Sequence, residues 1–104
     1  MEILLGYVTC PSQKVAESLG EDLVKTRIIA CYNSWPMQSG YWWDEQINHD
    51  QEWILLVKTR LELEQTLEAY VLAHHPYQVP CILRWKTQVN TSYGHWIYKE
   101  TRSA

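Results

Sequence analysis

The feature that most constrains the fold is a pair of long strand-like segments on either side of a short polar step. The first segment extends from Ile28 to Trp43, with an interruption expected near Pro36 and Gly40. The second extends from Ile47 to Thr59, so the step Asp44-Glu45-Gln46 is predicted to be a hairpin tip. Ordinary strands have about 5–6 residues. Two longer arms protrude and expose strand edges, which proteins normally cover, so we expect this hairpin to pair with another subunit.

Helices are predicted on both sides of this hairpin. Ser12 can cap the first helix. Its apolar residues follow the helical period, at Val15, Ala16, Leu19, Leu23 and Val24. Thr59 and Glu62 have the spacing of a capping box and are expected to open the second helix, which Pro76 ends.

The remaining apolar segments complete an α+β chain. Strands are predicted at Ile3–Thr9 and at Cys81–Trp85, and Asn90 or Thr91 can cap a short C-terminal helix. The order is therefore β-α-β-β-α-β plus a closing helix, which is the ferredoxin-like split β-α-β arrangement. We expect the strand order 4-1-3-2 with antiparallel neighbours, and both main helices on one face. A length of 104 residues fits a single domain that spans residues 1–104.

Composition and charge exclude several classes of protein. The net charge is −3 and the basic residues are scattered, so there is no basic stripe for a nucleic-acid partner. No apolar run approaches the ~20 residues of a membrane span, and the start of the chain does not resemble a signal peptide. Three cysteines, an odd number, favour reduced thiols. We therefore expect a cytoplasmic protein without a membrane partner.

The aromatic residues point to an interface. The chain has six Trp and seven Tyr but no Phe. Each of these rings brings a large area to bury and a polar tip that needs a partner. A small domain cannot enclose all of them, so we expect some to line a subunit interface or a wet pocket.

Several motifs, in order along the chain, resemble the CutA divalent-cation-tolerance family. They are Ala30-Cys31, Tyr41-Trp42-Trp43, Lys58-Thr59, His75-Pro76-Tyr77-Gln78-Val79-Pro80, Tyr93 and Trp96. The resemblance implies a ferredoxin-like protomer in a tight homotrimer whose long hairpins pair between subunits. It also implies a role in tolerance of divalent metals, copper especially. The family's trimer is similar to that of PII signalling proteins, which bind small effectors in clefts between subunits.

Four residues are candidate metal ligands: Cys10, His74, His75 and Cys81. The split β-α-β fold brings the end of the first strand, the end of the second helix and the start of the fourth strand to one pole, and thiolate with imidazole suits copper or zinc. The resemblance implies a first-strand Cys and the paired His as copper ligands. His74 and His75 match, but Val8 occupies the Cys position, and Cys10 follows on the same strand face. Alternatively, Cys10 and Cys81 are small buried hydrophobes.

A second group of residues is predicted to line an interface or a cleft between subunits. These residues are Tyr41, Trp42, Trp43, Lys58, Tyr77, Tyr93 and Trp96. His75 has a structural interpretation, as a cation near a helix C-terminus, and a functional one, in which it lines the cleft with Tyr77 and Lys58. The acidic side chains of the hairpin are expected to form a solvated charged face, at Asp44, Glu45, Asp50 and Glu52.

The sequence does not favour an enzyme. It has no glycine-rich phosphate loop, no Gly-x-Ser-x-Gly elbow and no His-Glu-x-x-His motif. We therefore expect no organic cofactor and no catalytic residues. The leading hypothesis is a cytosolic homotrimer that binds copper or another divalent metal ion and supports metal tolerance. The alternative is a PII-like sensor that binds a small anionic ligand between subunits.

Overall fold

The computed structural model describes residues 1–102, which form four strands and three helices in the predicted order. The elements are β1 (Glu2–Cys10), α1 (Gln13–Lys25), β2 (Cys31–Trp43), β3 (Gln46–Thr59), α2 (Glu64–His74), β4 (Ile82–Gln88) and α3 (Thr91–Glu100). A 3-10 turn at Leu61–Leu63 leads into α2.

The strands form one antiparallel sheet in the order β2-β3-β1-β4, which confirms the predicted strand order. One face carries α1 and α2, and the buried core lies between them and the central strands. Its members include Leu4, Val8, Leu55, Val57, Leu19, Leu23, Leu67 and Val71. Each fully buried aliphatic side chain stabilises the fold by ~1.5–3 kcal/mol relative to exposure. Gly6 lets α2 approach closely, because a Cβ there would lie 3.1 Å from Leu67 Cδ2.

Local capping chemistry predicts α1 correctly and α2 incorrectly. Ser12 Oγ accepts a hydrogen bond from the backbone N–H of Val15 at 3.2 Å, as expected of an N-cap. The predicted capping box at Thr59 is wrong. Thr59 ends β3, and its hydroxyl donates to the carbonyl of Ile28 at 2.6 Å. The helix begins five residues later, at Glu64, without a side-chain cap.

The predicted boundaries of the hairpin also need correction. β2 begins at Cys31, because Ile28 and Ile29 are buried in the connection that precedes it. The expected interruption near Pro36 and Gly40 does not occur, and pairing is continuous from Cys31 to Trp43. Proline is tolerated because β2 is an edge strand whose free side needs no N–H.

The C-terminal elements depart slightly from the prediction. β4 begins one residue later than expected, at Ile82, and continues to Gln88. Asn90 occupies the N-cap position of α3, but its side chain donates to Ser92 Oγ at 3.1 Å and makes no cap hydrogen bond to the backbone. None of the helices in residues 1–102 combines the length and apolar character needed to cross a membrane.

The tip of the hairpin extends beyond the rest of the sheet. β1 pairs with β3 only as far as Trp53, so residues 46–52 pair with β2 alone. Residues 37–43 and 46–52 therefore form a two-stranded ribbon. The radius of gyration is 14.3 Å, whereas a compact domain of this size has a value of about 13 Å. The predicted long hairpin is confirmed.

The second face of the sheet, opposite α1 and α2, retains apolar surface. We call it the outer face and define it by Tyr7, Trp35, Ile54, Leu83 and Trp85, which the strand register places on one side. α3 contributes Tyr93 to one end of this face, beside Lys58. Trp35, Leu83 and Trp85 are exposed. The expected surplus of aromatic surface therefore exists in the single chain.

Candidate functional site

A cavity of about 590 Å³ lies at the base of the ribbon. Three parts of the chain form it: the end of β1, the ribbon, and the connection that follows Pro76. Side chains that line it include Tyr7, Met37, Tyr41, Trp43, Glu52, Tyr77 and Cys81. We call it the Glu52 cavity, after the carboxylate in its wall.

Glu52 is the residue that the sequence interpretation missed. It was expected on a solvated face, but only 8% of it is exposed, and that expectation is wrong. Its Oε2 accepts a hydrogen bond from the hydroxyl of Tyr77 at 2.6 Å. In the ladder it lies opposite Met37, on the same side of the sheet as the outer face. The sequence hints at burial of Glu52 only through its position beside Trp53, where β3 becomes apolar. That position does not identify Tyr77 as its hydrogen-bond partner.

Glu52 also affects the ionisation of its neighbours. Burial raises the pKa of Tyr77, and the hydrogen bond and negative charge of Glu52 raise it further. Burial and then Glu52 raise the pKa of Cys81 in the same way. The hydroxyl of Tyr41 donates to the Asp50 carboxylate, which is the main reason that the pKa of Tyr41 is raised. The phenols of Tyr41 and Tyr77 and the thiol of Cys81 therefore hold their protons more strongly than free side chains do.

His75 supports this wall through both ring nitrogens. Its Nδ1 accepts from the backbone N–H of Tyr77 at 3.0 Å, and its Nε2 lies 2.8 Å from the carbonyl of Thr9. Because Nδ1 is the acceptor, these hydrogen bonds assign the proton to Nε2, which donates to Thr9. The ring also packs against that of Tyr77, with 4.8 Å between centroids. His75 thus holds the connection after α2 against β1. This role is structural, but it uses an unprotonated Nδ1 and not the cationic ring that was expected at the helix C-terminus.

The other predicted metal ligands have different surroundings. His74 is exposed, stacks on Tyr70 with 4.1 Å between ring centroids, and places Nδ1 2.8 Å from the Tyr70 carbonyl. Cys10 is buried in the core beneath the helices, and burial followed by the charge of Glu52 raises its pKa to about 11. Cys81 is half-buried in the cavity wall.

These side chains do not assemble a metal centre within one chain. In residues 1–102, no group of three or more His, Cys, Asp or Glu side chains is arranged to hold a metal ion. Thiol ligands must lose their proton to bind, and both Cys10 and Cys81 have raised pKa values. The donor set therefore does not fit a closed centre in the protomer. Metal binding by Cys10, His74, His75 and Cys81 stays a prediction.

The residues predicted for a cleft fall into two separate groups. Tyr41, Trp43 and Tyr77 line the Glu52 cavity. Lys58 lies six residues from Glu52 along β3, which corresponds to about 20 Å of extended strand. Within the chain, Lys58 therefore does not meet Tyr77. Trp42, at the ribbon end, is 70% exposed.

The second group, which we call the Tyr93 cluster, consists of Cys31, Lys58, Tyr93 and Trp96. The hydroxyl of Tyr93 accepts from Lys58 Nζ at 3.4 Å and lies 3.3 Å from Cys31 Sγ. Lys58 Nζ is 5.5 Å from the centroid of the Tyr93 ring, within cation–π range. Trp96 packs against that ring at 5.6 Å. The cluster anchors α3 to the sheet.

The topology and the cavity together define a class: a small α+β protein of the split β-α-β type with a protruding hairpin. The family model described as CutA1 divalent ion tolerance protein matches residues 4–100. A divalent-cation tolerance protein CutA from Thermotoga maritima is 38% identical over 96 residues, covering 91% of this chain and 95% of that protein. The chain therefore belongs to the CutA divalent-cation tolerance family.

Solved structures agree with this assignment. The crystal structure of CutA1 from Pyrococcus horikoshii has a TM-score of 0.93 at 36% identity and covers 96% of this chain and 99% of that one. CutA1 from Oryza sativa has a TM-score of 0.94 at 30% identity, with 100% and 97% covered. The relatives differ in location: one rice protein is described as chloroplastic, and the Archaeoglobus fulgidus structure as periplasmic.

Proposed function

We propose that the protein is a cytoplasmic homotrimer that supports tolerance of divalent cations, copper included, and that it acts by binding ligands rather than by catalysis. The names of the Thermotoga and Pyrococcus relatives motivate the link to cation tolerance. The observation that carries the binding role is the Glu52 cavity, which is lined by polar and aromatic side chains and large enough for a ligand. The exposed outer face and the ribbon support assembly.

The proposed ion site uses the accessible donors at the pole and is completed by a neighbouring subunit. His74 is exposed and Cys81 is half-buried, whereas Cys10 is enclosed in the core. We expect His74→Ala combined with Cys81→Ser to weaken copper binding by the assembled protein about tenfold or more, since ligand-shell changes commonly have effects of that size. Isothermal titration of the purified protein with Cu(II), and with Cu(I) under reducing conditions, measures this effect.

Cys10→Ser is the matched control. It also removes a thiol near the pole, but one that solvent does not reach. It should leave copper affinity unchanged. If the His74/Cys81 variant binds copper as tightly as the unmodified protein, the proposed ion site at this pole is wrong.

A second candidate function is that of a small-molecule sensor, as in PII-like proteins. The specific observation in its favour is the volume of the Glu52 cavity, about 590 Å³, which is in the range of small-molecule sites and far exceeds the space a bare ion needs. A ligand in this cavity contacts β1, the ribbon and the connection after α2 at once. We expect binding to affect the hairpin through these contacts. Binding of a small organic probe to the assembled protein tests this candidate.

A further inference from the structure

The charges on the outer face of the sheet are unevenly distributed. The register of the four strands places one basic residue on this face, Lys58, and two carboxylates, Asp50 and Glu52. The other Lys and Arg residues of the strands, Arg84 and Lys86, lie on the side of α1 and α2. Lys58 is beside α3, whereas both carboxylates belong to the ribbon. The outer face therefore has a positive end and a negative end.

Neither end is neutralised by an opposite charge within the chain. Glu52 is more than nine-tenths buried, and its Oε2 accepts a hydrogen bond from the hydroxyl of Tyr77. Lys58 is half-buried, and its Nζ donates to the hydroxyl of Tyr93 at 3.4 Å. None of the ion pairs within residues 1–102 includes either residue. Because six positions of β3 correspond to about 20 Å of extended strand, Lys58 and Glu52 cannot meet in one chain.

Assembly makes these two unpaired charges more unfavourable. A second copy that covers the outer face removes both ends from water, and a charge buried without a partner is strongly destabilising. In a cyclic trimer the interface is heterologous, so one patch of each subunit contacts a different patch of the next. The positive end of one copy can therefore contact the negative end of its neighbour. Such charge complementarity also fixes the register of an interface.

We infer that Lys58 of each subunit forms an ion pair with Glu52 of the partner subunit in the proposed trimer. This inference rests on the homotrimer of the proposed function and names the contact that sets the relative position of its subunits. Tyr93 and Trp96 accompany Lys58 in the Tyr93 cluster. The Glu52 cavity of one subunit is thus completed by the Tyr93 cluster of the next. Lys58 and Tyr77, which are separate in the single chain, line one cleft between subunits.

Reversal of both charges tests this ion pair. Glu52→Lys and Lys58→Glu each oppose like charges across the interface and should raise the dissociation constant of the assembled protein about a hundredfold or more. The double variant Glu52→Lys/Lys58→Glu restores opposite charges and should assemble about tenfold more tightly than either single variant. Because the two positions are about 20 Å apart within a chain, this rescue requires contact between subunits. Sedimentation velocity on dilution, at one fixed urea concentration for all variants, measures the dissociation constants.

The matched control is the double variant Glu52→Lys/Lys86→Glu. It has the same net charge as the charge swap, but Lys86 lies on the helix side of the sheet. It should assemble no more tightly than Glu52→Lys alone. An equal rescue by both double variants would mean that only the overall charge matters, which overturns the pair.

A neutral pair of substitutions repeats the test without reversed charges, in case a reversal prevents folding. Glu52→Gln retains an acceptor for Tyr77, and Lys58→Met retains the length of the side chain. If the two residues are paired, the combined variant should lose less affinity than the product of the two single losses. Single losses that simply multiply would show that the residues do not interact.

The outcomes separate this inference from the proposed function. If the unmodified protein is a trimer but the charge swap gives no rescue and the neutral substitutions act independently, the trimer stands and the ion pair is wrong. If the unmodified chain is a monomer, the proposed homotrimer is wrong and the ion pair with it. The copper proposal is measured separately, through the His74 and Cys81 variants.

Discussion

At the scale of single residues, burial and one carboxylate together set the ionisation of several groups at the pole. Glu52 contributes to the raised pKa values of Cys10, Tyr77 and Cys81, in each case after burial itself. Thiols are reactive and bind metals as thiolates, so copper must displace a proton from Cys81 to bind there. The negative charge of Glu52 therefore opposes thiolate formation at the two cysteines that the sequence suggested as metal ligands.

The raised pKa of Cys10 can be tested through the stability of the protein at alkaline pH. Its pKa is raised from 9.0 to about 11, so the native state keeps a proton that the unfolded state loses. Stability should therefore fall as pH rises through this window, because the native state binds more protons. Denaturant unfolding at fixed protein concentration should show a smaller loss from about pH 8 to about pH 10 for Cys10→Ala than for the unmodified protein.

The control for this measurement is Val8→Ala, which truncates a buried side chain in the same strand that has no ionisable group. It should leave the pH dependence of the unmodified protein in place. The raised pKa values of several tyrosines also contribute a loss in the same direction, so only the difference between variants is informative. Identical slopes for Cys10→Ala and the unmodified protein would contradict the assigned pKa.

At the scale of elements, features that depend on residues close in sequence can be predicted, whereas contacts between distant residues cannot. The Ser12 cap could be predicted because its partner, the N–H of Val15, lies three residues away. Thr59 has an equally good local pattern, but its hydroxyl is used by the carbonyl of Ile28, 31 residues away. Glu52 depends in the same way on Tyr77, 25 residues further along. The order of elements was therefore predictable, whereas the composition of the cavity was not.

The hairpin tip carries backbone strain that a single substitution relieves. Asp44 and Glu45 have φ values of 53° and 59°, the left-handed conformation of a type I′ turn. Glu is poorly suited to it, at a penalty of about 1–2 kcal/mol, so Glu45→Gly should raise the unfolding free energy by about 1 kcal/mol. Glu45→Ala removes the same side chain but keeps Cβ and should not stabilise. Equal unfolding midpoints for the two variants in urea would show that strain at this turn is negligible.

At the scale of the whole molecule, the single chain leaves two surfaces uncovered. The outer face exposes Trp35, Leu83 and Trp85, and the ribbon extends past the sheet with Trp42 near its end. Each tryptophan is a large apolar area of the kind that dominates subunit interfaces. A second copy of the same chain is the partner that we propose, because identical ribbons and outer faces can cover one another around a symmetry axis.

A pair of charge insertions tests which surface would hold the proposed trimer together. Trp42 and Leu72 are 70% and 53% exposed in the single chain, so a carboxylate at either position leaves the protomer's core intact. Trp42→Glu should raise the dissociation constant of the trimer by about tenfold or more, because buried interface tryptophans commonly contribute at least ~2 kcal/mol. Leu72→Glu, on the opposite side of the sheet in α2, should not. Light scattering at micromolar concentration measures both. If the unmodified chain is a stable monomer, the proposed trimer is wrong. If Trp42→Glu and Leu72→Glu weaken assembly equally, Trp42 is not its anchor.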